Sequence, residues 1–170
     1  MVVQLLLDAD AVIKLHRSGV LANVVGAFPC TIPQAVYDEV VTRGKARLHL
    51  DAEAIQGIIA GAVTIVSTQE RRQPELGLGA GEIGILDLLS QGQEDPIVVS
   101  DDRRFLTLLS AQGILFLTPA DLLVALARRG ILAKAVAREA LERLSPMIRR
   151  AAYLDARQDL EFGGETHEED

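Results

Sequence analysis

Short apolar runs alternate along the chain with longer stretches in which apolar residues recur every three or four positions. Residues 2–7, 30–32, 63–66, 97–100 and 114–117 have the length and composition of buried strands. The stretches between them read as helices. Pro33 suits the first helical position of a segment whose Val36 and Val40 stand four apart, with Glu39 one residue before the second of these stripe positions. Thr118-Pro119-Ala120-Asp121 has a capping hydroxyl, a proline in the first turn and an acid in capping-box position. It opens a helix through Leu122, Leu126 and Ala127 that stops at Arg129-Gly130. Two more helices are expected at 132–144 and 146–160.

Strands alternating with helices predict an α/β protein: a three-layer α/β/α sandwich around a mostly parallel sheet of four to five strands, with further helices at the C-terminal end. In such sheets the ligand site lies beyond the carboxyl ends of the strands. At 170 residues the chain fits one core without staples. The expected division is a domain over 1–150 and, over 151–170, a helical extension with an acidic, frayed tail. No internal repeat or linker interrupts it.

Composition narrows this further. The chain is 49% hydrophobic but only 4% aromatic, without Trp, so Leu, Ile, Val and Ala must build the interior. A single cysteine, Cys30, excludes an intramolecular disulfide and a cysteine-rich zinc site, and reads as a small buried hydrophobe. Together with the absence of any apolar run of roughly 18 residues, it points to a soluble, cytoplasmic protein. The net charge of −7 argues at first against a nucleic-acid partner. The distribution weakens that objection, because residues 154–170 hold seven acids against Arg157. Their net of −6 leaves only −1 to residues 1–153.

The acids of the body fall where a parallel sheet would gather them. Asp8 directly follows the run QLLL, and Asp101-Asp102 directly follow IVVS, so both sets belong at one edge of the sheet. Carboxylates within a few Å of one another cannot all ionise without a counter-charge. A hard divalent ion, Mg²⁺ or Mn²⁺, is the natural one for oxygen ligands. Glu39 and Glu82 join the set because each is expected near a helix start facing the strand ends. The plainer reading of either is a charge complementing a helix dipole. The glycines of GLGAGEIG around Glu82 would let backbone come close to the site. Asp10 reads either as a further outer-shell carboxylate or, better, as the cap of the first helix.

The ordered set LLLDADAVIKL, TIPQAVYDEV, GAGEIGILDLL and VVSDDRRF resembles the acidic signature of PIN-domain proteins over about residues 2–145. The resemblance implies a metal-dependent ribonuclease that hydrolyses RNA phosphodiester bonds with a metal-activated water, and ligands at Asp8, Glu39, Glu82 and Asp102. Asp101 stands as a second candidate beside Asp102, and Ser100 as an orienting hydroxyl. Where many members carry a hydroxyl residue and then Asn or Ser, this chain has Ala9 and Asp10, which removes a hydrogen bond that would fix Asp8. Arg103 and Arg104, and Arg43, Lys45 and Arg47 in an expected loop, are candidates for binding phosphate. His16, His49 and His167 have no triad-like context and read as structural or surface residues. Small stand-alone members of this kind include VapC-type toxins, which implies a homodimer, with the apolar helices between Leu122 and Leu144 as one candidate interface, and a small antitoxin partner.

Two other readings compete. Asp8-Ala9-Asp10-Ala11-Val12 and Val98-Val99-Ser100-Asp101-Asp102 also fit a haloacid-dehalogenase-like phosphatase, with Ser67 or Thr68 as its hydroxyl. No lysine lies between Thr68 and Asp101 to hold phosphate, only Arg71 and Arg72. A non-catalytic PIN-like module that binds RNA or protein is the third reading.

Overall fold

The computed structural model describes residues 3–47, 50–68, 77–92 and 95–163. Among them five strands form one sheet, parallel throughout: β1 (Leu5–Leu7), β2 (Cys30–Pro33), β3 (Val63–Val66), β4 (Ile97–Val99) and β5 (Phe116–Leu117). Their spatial order is β3-β2-β1-β4-β5. Each expected strand is present, though β1 is assigned only from Leu5, β4 ends at Val99 and β5 keeps two residues.

The pleat sorts the strand residues into two cores. Leu6 and Val98 project to one face, where they meet Ile85 and Leu88 of α6 (Ala80–Ser90) and Phe105 and Leu109 of α7 (Arg103–Ala111). Leu5, Leu7, Cys30, Ile32 and Val99 project to the other. There they meet α1 (Ala9–Arg17), α2 (Leu21–Ala27), α5 (Asp51–Ile59), α8 (Pro119–Arg128), α9 (Lys134–Leu144) and α10 (Arg150–Phe162). This is the three-layer arrangement, and each fully buried Leu contributes about 1.5–3 kcal/mol to it. Cys30 is buried as a hydrophobe, and burial pushes its thiol up to about 12.

Several local expectations change. Pro33 does not open the second helical segment; it ends β2 in extended conformation and caps α3 (Gln34–Tyr37), because its ring closes the strand where no further ladder N–H is needed. The segment then widens into a π-helical turn, Asp38–Arg43, and continues as α4 (Gly44–Ala46). Arg43 and Lys45 are therefore helical, and Arg47 caps α4, where a loop was expected. The Thr118 cap forms as its sequence predicts: Asp121 N–H donates to Thr118 Oγ1 at 3.2 Å, and Thr118 N–H to the Asp121 carboxylate at 3.0 Å. The last two helices start later than expected, after a 3₁₀ turn at Ser145–Met147 in the case of α10.

Most of the apolar residues of α8 and α9 are spent inside the chain, Val136 of α9 being left exposed. Leu122, Leu123, Leu126, Leu132, Leu141 and Leu144 all lie in the larger core, so a core and not a dimer interface accounts for them. Helix α10 packs on α8 and α9 and buries Ala156 and Leu160. No helix among the described residues is long and apolar enough to cross a membrane. His49, Arg71, Arg72, His167 and the last acidic residues, 164–170, lie outside the described residues.

Candidate metal centre

The chain runs outward from β1 to β2 and β3, then returns to the opposite side of β1 with β4. The connections leaving β1 and β4 therefore diverge, and the ends of these strands form the crevice in which doubly wound folds place ligands. Asp8 follows β1 there, and Asp101 and Asp102 follow β4. A cavity of about 600 Å³ opens at this point, lined by Asp8, Asp10, Glu39, Glu82, Asp101 and Asp102 together with Lys14, Arg103 and Arg149.

Three of these acids are tied to the start of a helix. Asp8, not Asp10, caps α1, with its Oδ1 accepting from Ala11 N–H at 2.7 Å. Asp102 caps α7, with its Oδ1 accepting from Phe105 N–H at 2.9 Å. Glu82 reaches back to accept from Gly79 N–H at 2.7 Å. Asp10 falls in the first turn of α1 and faces Lys14 instead. Asp8 also interacts with the buried hydroxyl of Ser100. Ser100 Oγ in turn accepts from Asp102 N–H at 3.2 Å, so one hydroxyl joins the ends of both strands.

The electrostatics follow from crowding and burial. Asp8 is only 4% exposed; burial pushes its carboxyl up to about 7, and the nearby Asp10 and Asp101 add to the rise against the opposing hydrogen bonds from Ser100 and Ala11. Burial also raises Glu82, helped by the charges of Asp102 and Glu39. Those two therefore act on Glu82 through the same cavity. Burial and Asp10 raise Asp101 despite its contact with Lys14. Glu39 reaches the cavity from the π-helical turn, and its side chain is exposed. It falls in the first turn of that π-helical segment, early on a helix as expected.

Lys14 is a site residue that the sequence pattern does not single out. Its Nζ lies 2.5 Å from Asp10 Oδ2 and 2.5 Å from Asp101 Oδ2. Its only trace in the sequence is the four-residue spacing from Asp10 on the helix that Asp8 opens. The rim contributed by Pro146, Met147, Ile148 and Arg149 left no signal at all.

Among the candidate phosphate contacts, Arg103 lines the cavity and Arg104 donates to Gly77 O at 3.2 Å beside an adjoining cleft. Arg43 and Arg47 line a smaller pocket that shares Glu39 with the main one. Lys45 turns away to Gln56. Gly79 and Gly81 line the cavity, while Gly81 and Gly84 chiefly let α6 approach Val36 and Pro33.

The donor set is all oxygen and all carboxylate, and burial, with the crowding of Asp10 and Asp101, raises the proton affinity of one member, Asp8. That suits a hard divalent cation. Among the described residues no three such side chains converge on a single point; Asp8, Glu82, Asp101 and Asp102 are each turned to a partner of their own.

A family model for the PIN domain matches residues 4–158. The chain belongs to the PIN-domain family. The match spans the whole sheet and every acid lining the cavity, and gives this PIN protein a fold of nuclease type. Comparison with curated proteins and with solved structures returns no match.

Proposed function

We propose that this PIN protein is a divalent-metal-dependent endoribonuclease that hydrolyses RNA phosphodiester bonds. The observation that carries the reading is the meeting of Asp8, Glu39, Glu82, Asp101 and Asp102, from four separate segments of the chain, around one cavity at the switch point of the sheet. Asp8, Glu39, Glu82 and Asp102 would hold the ion, with Asp101 beside them. Mg²⁺ or Mn²⁺, when bound, supplies Lewis acidity that activates water and stabilises charge on the leaving oxygen. Ser100 keeps Asp8 and Asp102 in register, and Arg103 offers a guanidinium to phosphate at the cavity wall.

Cleavage of a panel of structured and single-stranded RNAs tests this, with Mg²⁺, Mn²⁺ or EDTA, for the wild type and for Asp8→Ala and Asp102→Ala. The expected result is metal-dependent cutting that falls about 100-fold or more in either variant. No cutting by folded wild type under any metal would reject it.

A second reading, a non-catalytic module that binds RNA or protein, draws on the capping bonds of Asp8, Glu82 and Asp102, which give each acid a structural reason to be present. It is the reading left standing if RNA binds but is never cut. Membership of the PIN family favours either over a phosphatase.

Within the nuclease reading we further place the protein among cytoplasmic VapC-type toxins, acting as a homodimer and silenced by a small antitoxin. The family and an open acidic cavity that a partner's cation can enter support this. Growth arrest on expression, relieved by the product of a short adjacent gene, is the result that would bear it out.

A further inference from the structure

We propose that Lys14 is a built-in cation that fills the Asp10–Asp101 side of the cavity, so that the site takes one divalent ion and not two. The inference rests on the metal-dependent reading above.

The geometry is that of a bridge. The Lys14 ammonium sits 2.5 Å from Asp10 Oδ2 and 2.5 Å from Asp101 Oδ2, and its side chain is only 11% exposed. Asp101 is similarly enclosed, at 14%. The lysine is anchored on α1 one turn beyond Asp10, while Asp101 arrives from β4, so the contact ties the two strand ends together. Charge-assisted bonds of this length are strong, and an ammonium on a tethered stem cannot diffuse away.

Two-metal centres set their ions about 3.5–4 Å apart, with carboxylates shared between them. A hard ion lies about 2.1 Å from its ligand oxygen. A second ion on Asp101 Oδ2 would therefore stand at most about 4.6 Å from Lys14 Nζ, its two positive charges facing the ammonium across one shared oxygen. The lysine leaves Asp8, Glu39, Glu82 and Asp102 as the set for a single ion. It also accounts for Asp10, an acid where the family pattern has Asn or Ser: Asp10 holds the lysine in place.

The test counts metal on folded protein. Wild type, Lys14→Met, Lys14→Arg and the double variant Lys14→Met/Asp101→Asn are dialysed to equilibrium against saturating Mn²⁺, and bound manganese per chain is measured. The expected counts are one for wild type, two for Lys14→Met, one for Lys14→Arg and one for the double variant. Two ions on wild type, or one on Lys14→Met, overturns the inference and leaves the nuclease reading intact. No manganese on wild type removes the metal-dependent reading and this inference with it. Should Lys14→Met fail to fold, Lys14→Gln removes the same charge and is counted in its place.

Discussion

Lys14 and Asp101 are 87 residues apart in the chain, yet the ammonium of one lies 2.5 Å from the carboxylate of the other. The contact exists because β1 and β4 are neighbours in a parallel sheet, so whatever follows each strand emerges at the same edge. It also divides two adjacent acids. Asp101 faces the lysine, while Asp102 caps α7 and lies near Glu82 in the electrostatic sense, raising its proton affinity.

The raised proton affinity of Asp8 makes the metal-free protein sensitive to pH. Its folded value, about 7, exceeds the ordinary 3.8, so the folded state binds a proton that the unfolded state has released. The Asp8 contribution to stability is therefore fully present below about pH 4 and is lost as pH rises toward 7. In EDTA, the fall in Tm between pH 4 and 8 is expected to be shallower in Asp8→Asn than in wild type. Equal slopes would show that Asp8 keeps its ordinary proton affinity in the folded protein.

Two glycine-to-alanine substitutions should act in opposite directions. At Gly84 an added Cβ would stand 2.6 Å from Pro33 Cβ and 3.1 Å from Thr68 Oγ1, which forces α6 off β2. Overpacking of this kind costs about 1–3 kcal/mol, against a gain of about 1 in helix propensity. At Gly57, within α5, nothing lies within 4 Å of the new methyl, and Gly57→Ala should stabilise by up to about 1 kcal/mol. Denaturant unfolding of the two variants checks the pair. A Gly84→Ala protein as stable as Gly57→Ala would mean that α6 shifts without cost.

Arg103 and Lys45 were equal candidates for holding phosphate, and the structure separates them. Arg103 lines the acidic cavity, whereas Lys45 is bonded to Gln56 outside it. Arg103→Ala should weaken RNA binding and reduce the slope of log Kd against log salt by about 1. Lys45→Ala should leave both close to wild type. Binding by the cleavage-impaired Asp8→Ala protein across a salt series measures both effects, and equal slopes for the two variants would remove Arg103 from the RNA path.

Much of the architecture was legible in the sequence because it is written in local patterns. Apolar runs of strand length, separated by helical periodicity, specify an α/β sandwich, and the Thr118–Asp121 cap places a helix start to the residue. The acids at the ends of β1 and β4 were legible for the same reason, since a residue that follows a strand needs only the strand's direction to be placed. Other features depended on partners distant in sequence. That Pro33 ends a strand follows from its pairing with Val66. That most of the apolar residues of α8 and α9 are buried follows from α10 and α1 folding onto them. That Asp101 and not Asp102 faces a cation depends on a lysine brought in from another strand end. The order of residues along the chain is enough to say which acids can reach one edge of the sheet. Which partner each acid faces there is set by the fold, because burial and pairing are properties of the assembled neighbourhood and not of the residue.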